Sequence, residues 1–244
     1  MRRSPGRREL TLDQGLAARK TPGGLRAFSL IELLVVISII GVLAAIGAGM
    51  AGVASRKSKE ARVKGELNMY VTAIESYKAS FGQYPPDNSH AGTNYNPALN
   101  SLYYELEGTI TLNQGNAYRT TERQNGIPST TLNKVFGVQG LVNSVLPGQR
   151  PKNLLPTLKA TQHPEVVLSG LDPTPVEILA VPVEWPGSMA GFAPLKDYSN
   201  DAKVRKVNPW HYVSTQPTNN PASFDLWARV VIGKQERTYG NWKE

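Results

Sequence analysis

The sequence of 244 residues contains no cysteine. This absence excludes a disulfide scaffold, a thiol nucleophile and every metal site built on cysteine ligands. Histidine is scarce as well, and His90, His163 and His211 are scattered through the sequence. We interpret the three as ordinary loop or sheet-surface histidines without an acidic partner, so they indicate neither a catalytic centre nor a metal site.

The motifs of common enzyme classes are also missing. The sequence has no Gly-x-x-x-x-Gly-Lys phosphate loop, no His-Glu-x-x-His zinc helix and no Gly-x-Ser-x-Gly nucleophile turn. We therefore predict a protein that is not an enzyme, with no catalytic residues and no metal ligands.

Acidic residues are few at the N-terminus. Residues 1–27 hold seven of the 27 basic residues and only two of the 19 acidic ones, whereas the rest of the chain is close to balanced. A DNA-binding domain needs a basic stripe on its folded surface. The net charge of +8 therefore indicates a basic leader, and it argues against nucleic acid as a partner.

Between Glu32 and Arg56 lies an uncharged run of 23 residues. About 20 apolar residues are enough to cross a hydrocarbon core of ~30 Å as a helix. A removable secretory signal has a shorter apolar stretch of about 7–15 residues. We therefore predict a membrane-spanning helix. Charge does not set its orientation, because basic residues lie at both of its ends.

Glu32 stands out because its neighbours on both sides are apolar. A carboxylate inside hydrocarbon costs up to roughly 2.5–3.5 kcal/mol, so it should have a partner and a purpose. The simpler alternative is a helix-start carboxylate at the lipid boundary, which the positive end of the helix dipole favours. Composition alone leaves both explanations open.

The residues around Glu32 form a more specific pattern. Residues 27–36 read Ala-Phe-Ser-Leu-Ile-Glu-Leu-Leu-Val-Val, behind the basic leader and ahead of the apolar run. This pattern resembles the processing site of type IV prepilins, most of all that of type II secretion pseudopilins. The resemblance implies cleavage between Ala27 and Phe28 by a prepilin peptidase, followed by N-methylation of Phe28. The family prefers glycine before the cut, where this sequence has Ala27.

The resemblance also implies a role for Glu32 as the fifth residue of the processed chain. In a filament its carboxylate meets the Phe28 amine of a neighbouring copy, and this charge pair fixes the axial register. Two series of small residues at four-residue spacing favour close packing of such helices, although Gly and Ala are common in spanning helices anyway. The two series are Gly41, Ala45 and Gly49, and Ala44, Ala48 and Gly52.

Residues 56–81 are predicted to continue the helix with one apolar face. Six apolar residues recur at spacings of three and four, as in a helix packed on one side. They are Val63, Leu67, Tyr70, Ile74, Tyr77 and Phe81. Gly82 and the prolines after it end the predicted helix of 28–80, and residues 82–85 resemble the Gly-x-Tyr-Pro turn of pseudopilins.

The remaining elements are predicted from composition. Short helices are expected at 96–107 and 129–144, with a polar, turn-rich stretch between them that could alternatively be a binding loop. Strands are expected at 176–183, 210–215 and 224–232, the last two joined as a hairpin through 216–223. Short segments at 208–212, 224–228 and 240–242 resemble parts of the major pseudopilin.

Major pseudopilins often bind calcium in an Asp-rich C-terminal loop. Calcium needs six to eight oxygen ligands, several of them carboxylates. Here residues 233–242 offer only Glu236, and Asp225 is the nearest other acid. Calcium is therefore disfavoured, and we predict no cofactor.

These predictions combine into an α+β protein with a pilin fold. A long N-terminal helix, with a membrane-spanning half and an amphipathic half, packs on a small C-terminal antiparallel sheet, and a long helical and irregular insertion lies between them. The predicted parts are a basic leader (1–27), a transmembrane and filament-core helix (28–55), the amphipathic half of the helix (56–81), and a periplasmic head (82–244). The head is divided into a variable connection (82–165) and a sheet region (166–244).

The resemblance implies a structural subunit of a type II secretion pseudopilus or a type IV pilus-like filament. Its partners would be copies of itself, the prepilin peptidase, an inner-membrane assembly platform and other pseudopilins. The chain would cross the inner membrane once, leader in the cytoplasm and head in the periplasm, before entering a periplasmic or surface filament. The alternative is a minor pilin or competence-type subunit whose head binds a surface, cargo or DNA.

Overall fold

The computed structural model describes residues 28–88, 95–233 and 235–242, without the side chains of residues 47–51. The chain divides into two units, Met1–Gly49 and Met50–Glu244. The first unit contains the beginning of helix α1 (Leu30–Phe81), and the second contains the rest of α1 and the head, by which we mean the residues after α1.

Helix α1 ends where the sequence predicts. The residue after it, Gly82, has a φ of +76°, a left-handed conformation that glycine adopts without strain. The backbone N–H of Gly82 donates to the carbonyl oxygen of Lys78 at 2.8 Å. Pro85 and Pro86 follow and cannot resume the helix. The observed bounds of α1 thus lie within two residues of the predicted 28–80 at both ends.

The apolar stripe of α1 faces the core of the second unit, as predicted. Four residues of the stripe are completely buried, namely Val63, Tyr70, Ile74 and Tyr77. Leu67 is 7% exposed, and Phe81 is partly buried against the same core. The Tyr70 ring meets the Trp210 ring edge to face, with ring centres 5.7 Å apart. Burial of one large apolar side chain contributes about 1.5–3 kcal/mol. This face therefore holds α1 on the head.

The C-terminal sheet has three antiparallel strands in the order β7–β8–β9. They are His211–Val213 (β7), Asp225–Ile232 (β8) and Gln235–Gly240 (β9). Along β8, fully buried residues alternate with half-buried ones, and Leu226, Ala228 and Val230 are the fully buried ones. The pairing of β7 with β8 confirms the predicted hairpin.

Strand β9 corrects the prediction of a loop at 233–242. Its residues pair with β8 from Trp227 to Ile232, yet their side chains are exposed or half-buried because β9 is an edge of the sheet. Edge strands of soluble proteins are commonly charged and polar. Such a strand lacks the apolar alternation by which strands are recognised in a sequence.

The segment between α1 and the C-terminal sheet also contains a four-stranded sheet that the sequence did not reveal. Its strands, in the order β3–β2–β1–β4, are Thr109–Leu112 (β1), Ala117–Thr120 (β2), Ile127–Pro128 (β3) and Ser144–Val145 (β4). Strands β1 and β2 form an antiparallel hairpin, and β4 runs parallel to β1. Asn113, Gln114 and Gly115 all have positive φ in the connecting turn. The polar stretch between the two helices therefore consists of very short strands joined by turns.

The helices of this segment are shorter than predicted. Helix α2 is Leu102–Glu107 and helix α3 is Ser129–Phe136, whereas 96–107 and 129–144 were expected. Helix α3 stops at Gly137, which has a φ of +69°. Over the described residues, three 3₁₀ helices lie in the irregular parts, at Asn113–Gly115, Gly187–Phe192 and Val204–Lys206.

The predicted strand at 176–183 is wrong over most of its length. Only β6 (Val176–Glu177) pairs, with β5 (Glu165–Val166), and Ala180 forms an isolated bridge. Most of the run is nevertheless buried. A short apolar run indicates burial but does not distinguish a strand from other buried chain. Pro182 has no N–H with which to extend a ladder.

The fold class is α+β, as predicted. A long N-terminal helix is followed by a region with small antiparallel sheets, an arrangement consistent with a pilin fold.

A buried carboxylate joins α1 to the middle of the head. Glu105 is completely buried and accepts a hydrogen bond from the Tyr77 hydroxyl at 2.8 Å. It also accepts from the backbone N–H groups of Val142 and Asn143, both at 2.9 Å. A buried donor that loses its acceptor costs its full desolvation free energy. Glu105 therefore holds three separate segments in register.

Replacing Glu105 with alanine should lower the free energy of unfolding by about 3–5 kcal/mol, because three donors, two of them in buried hydrogen bonds, lose their acceptor. Tyr77→Phe removes one of the three bonds and should cost about 1 kcal/mol. Urea unfolding of the full chain, followed by circular dichroism, measures both losses. A loss for Glu105→Ala no larger than that for Tyr77→Phe would contradict the linking role of this carboxylate.

Candidate functional site

The beginning of α1 carries the predicted processing and assembly residues. The backbone N–H of Ser29 donates to Glu32 Oε2 at 2.9 Å, and the N–H of Leu33 donates to the Ser29 carbonyl oxygen at 3.1 Å. A glutamate that accepts from the N–H three residues earlier forms one half of a capping box, which satisfies a backbone donor at the helix start. The helix-start explanation of Glu32 thus has a specific hydrogen bond behind it.

The residues beside this cap are open to other molecules. Phe28 is 81% exposed, and its predicted cleavage partner Ala27 lies outside the described residues. Glu32 is exposed as well, and its Oε1 accepts no hydrogen bond from any described residue. The carboxylate therefore keeps one oxygen for a further donor. Its contact with the Phe28 amine of a second copy stays a prediction.

The first part of α1 exposes apolar side chains on all sides. Thirteen large apolar residues between Phe28 and Ile46 are 47–82% exposed. Soluble monomers rarely expose contiguous apolar patches of more than a few hundred Å². This surface therefore favours a lipid or protein environment.

A membrane crossing is not confirmed. Over residues 28–88, 95–233 and 235–242, no helix reaches the length and apolar content that a bilayer crossing requires. The interpretation of 28–55 as a transmembrane helix stays a prediction.

Four of the six predicted packing positions are exposed, namely Gly41, Ala44, Ala45 and Gly52. A Cβ atom placed on Gly41 or Gly52 would meet no other atom within 4 Å. The side chains of Ala48 and Gly49 lie outside the described residues. The four described positions are open, as packing between copies requires.

His163 has an acidic partner that the sequence analysis missed. Its Nδ1 lies 3.0 Å from Glu177 Oε1, and its ring stacks on Tyr103 with ring centres 4.9 Å apart. Glu177 also forms an ion pair with Arg123 at 3.0 Å. The pair could not be found from spacing, because 14 residues separate its members and irregular chain lies between them.

The other two histidines differ from each other. His211 lies in β7 with 8% of its surface exposed, rather than on the sheet surface, and burial lowers its pKa to about 4. It is therefore neutral at physiological pH. His90 lies outside the described residues.

Glu107 is a second acidic residue close to His163. Burial and the nearby Glu122 carboxylate raise its pKa to about 7, and Asn153 Nδ2 donates to both of its oxygens at 3.0 Å. Glu107 is thus partly protonated at neutral pH and bound by an amide. Among the residues that the structure describes, no three His, Asp or Glu side chains are arranged to hold a metal ion.

The acids considered for calcium are engaged by protein donors. Glu236 accepts from Arg229 Nε at 2.6 Å. Asp225 accepts from the backbone N–H groups of Asn219 at 2.8 Å and Asn220 at 2.9 Å, which holds the loop between β7 and β8. The lack of a cofactor stays a prediction.

Comparison with known proteins places a signal at the beginning of α1. The family described as "Prokaryotic N-terminal methylation motif" matches residues 26–48, a range that includes Phe28 and Glu32. Comparisons with curated proteins and with solved structures found no match. The motif is a type IV pilin-like signal, and it indicates a structural, pilin-like subunit that is processed by prepilin peptidase and assembles into filaments.

Proposed function

We propose that this protein is a structural subunit of a type II secretion pseudopilus or a related type IV pilus-like filament. The proposal is carried by two features that coincide in the chain. The methylation motif occupies residues 26–48, and the same segment exposes apolar side chains around the whole helix. Such a helix needs lipid around it before assembly and other helices around it afterwards.

Before assembly, residues 28–55 anchor the protein in the inner membrane, with the leader in the cytoplasm and the head in the periplasm. The peptidase removes residues 1–27 and methylates the new amine of Phe28. An inner-membrane assembly platform then transfers the processed subunit into a filament made of copies of this chain and other pseudopilins. The work of such a subunit is mechanical and needs no catalytic residue.

Within the filament, Glu32 acts across the interface between copies. Its Oε2 accepts from the Ser29 N–H of its own chain, and Oε1 is left to accept from the Phe28 amine of a neighbour. Breaking a buried ion pair by removing one partner costs about 3–5 kcal/mol, so a slip of one helical turn is disfavoured. The open positions at Gly41 and Ala45 allow the helix backbones to approach closely.

Processing can be tested by mass spectrometry. When the full chain is produced with a prepilin peptidase, its N-terminal peptide should begin at Phe28 and carry one added methyl group. Production with an inactive peptidase is the control and should leave the leader in place. Ala27→Gly should raise the processed fraction, because the family prefers glycine before the cut. A chain that keeps its leader in the presence of the active enzyme would remove the basis of the proposal.

The role of Glu32 can be tested with two variants. Glu32→Gln keeps an oxygen for the Ser29 N–H but has no charge, whereas Glu32→Ala loses both the bond and the charge. If the charge pairs with a neighbouring amine, both variants should enter filaments at least about a hundredfold less than the unmodified chain, corresponding to roughly 3 kcal/mol. Both should remain in the membrane fraction. The measurement is the amount of subunit in sheared or cross-linked filaments.

Normal assembly of Glu32→Gln together with failure of Glu32→Ala would assign Glu32 to helix capping alone. Ser38→Ala is the matched control, because it removes only the hydroxyl bond to the Leu34 carbonyl oxygen within the same helix. It should assemble normally.

A further inference from the structure

A cavity of about 610 Å³ lies beside α1 in the second unit. Four basic side chains from three separate segments line it. Arg62 comes from α1, and Lys159 comes from the chain before β5. Lys206 lies in the 3₁₀ helix Val204–Lys206, and Lys203 directly precedes that helix. All four are exposed, and none forms an ion pair with a described residue.

Two acidic residues also line the cavity. Glu184 is exposed, whereas Glu66 is half-buried, with Oε1 accepting from Gln162 Nε2 at 2.7 Å and Oε2 buried without a partner among the described residues. Burial raises the pKa of Glu66 to about 7. The neighbouring Gln162 and Trp210 side chains and the charge of Lys159 offset part of this rise. Near neutral pH, a protonated Glu66 is a hydrogen-bond donor.

Two further buried polar groups close to Glu66 lack a partner in hydrogen-bonding geometry. They are the Tyr70 hydroxyl and Trp210 Nε1, both on completely buried side chains. Burial and the charge of Glu66 raise the pKa of Tyr70, so its hydroxyl keeps its proton. Buried polar groups are normally satisfied by protein, water or ligand. Both groups lie near the Glu66 carboxyl, which Trp210 stabilises and whose charge acts on Tyr70, so the three polar side chains share one buried region beside the cavity.

We propose that this cavity binds the phosphate group of an anionic phospholipid. Ammonium and guanidinium groups bind phosphate oxygens through charge-assisted hydrogen bonds, and protonated Glu66 adds a neutral donor. The four basic side chains that line the cavity also outnumber the single exposed acidic side chain there, Glu184. The inference rests on the proposed membrane anchoring of residues 28–55.

The position of the cavity along the chain favours a lipid over a free phosphate. The uncharged run ends at Ser55, and Arg62 follows seven residues later, about 10 Å along the helix. The headgroup layer extends about 5–8 Å beyond the hydrocarbon on each side. Long basic side chains bridge the remaining distance by extending towards the interface.

The test uses the full chain in a non-ionic detergent, titrated separately with short-chain phosphatidylglycerol, short-chain phosphatidylcholine and inorganic phosphate. Tryptophan fluorescence reports binding, since Trp210 lies beside Glu66. Phosphatidylglycerol should give a saturable change at concentrations that leave the phosphatidylcholine sample unchanged. Saturation by inorganic phosphate at equal or lower concentration would replace the lipid by a free anion and overturn the proposal.

Two matched variants separate the cavity from general attraction to basic residues. Lys203→Gln/Lys206→Gln removes two cavity charges and should weaken phosphatidylglycerol binding by about twenty-fivefold, given roughly a factor of five for each lysine. Arg150→Gln/Lys196→Gln removes two exposed charges of the head that do not line the cavity and should change binding less than about twofold. Equal losses in the two variants would refute a defined site.

A further experiment measures phosphatidylglycerol binding at different pH values. From about pH 6 to about pH 8.5, Glu66 loses its proton, because burial raises its pKa to about 7. The other charged side chains that line the cavity are Arg62, Lys159, Lys203, Lys206 and Glu184. Phosphatidylglycerol is a diester and does not titrate in this range, so its affinity for the unmodified chain should fall about fivefold. Glu66→Gln should bind equally at both pH values. A pH dependence that persists in Glu66→Gln would exclude the part assigned to this residue.

Failure of the lipid titration can be told apart from failure of the proposed function. Resistance of the full chain to carbonate extraction from membranes measures anchoring without involving the cavity. A chain that is anchored and processed but does not bind phosphatidylglycerol would refute the lipid site and leave the filament proposal standing.

Discussion

One face of α1, buried in the core of the second unit, holds the head of this protein together. Val63, Tyr70 and Tyr77 are completely buried in it, and Trp210 packs edge to face on Tyr70. The same face also supplies a polar contact, because the Tyr77 hydroxyl donates to the buried Glu105. Apolar burial thus supplies the driving force, and the carboxylate fixes the register of the segments around it.

The sequence predicted those parts of the fold that carry a strong local signal. The stripe along α1 has a helical period over six residues, and Gly82 with its prolines marks the end of the helix. Strand β8 alternates in burial, so its type and place were predicted as well. The four-stranded sheet and β9 were missed because their strands are short or polar, and pairing between distant segments decides their conformation. At 176–183 the apolar run correctly indicated burial, but the partners available there support only a two-residue strand.

The candidate functional residues likewise include some that the sequence predicted and some that it could not predict. The residues at the start of α1 are close in sequence, and a local motif is enough to recognise Phe28 and Glu32. The bond from the Ser29 N–H to Glu32 could be expected from the spacing of a capping box, since Ser29 and Glu32 are three residues apart. The cationic cavity could not be predicted, because Arg62, Lys159 and Lys203 come together only through the tertiary fold. Its pattern in the sequence is no different from that of ordinary surface residues.

Glu32 and Glu66 lie in the same helix, and each has one oxygen satisfied by its own chain and one that is not. Glu32 is exposed beside an apolar surface, so its free oxygen can be satisfied by a donor that another molecule brings. Glu66 is half-buried, and burial raises its pKa to about 7 although the charge of Lys159 lowers it, so a proton can neutralise it and convert it from an acceptor into a donor. A partner with a positive amine suits the first carboxyl, and an anion suits the second. The chemistry of the second partner follows from burial, because the loss of solvent around Glu66 favours its neutral acid form.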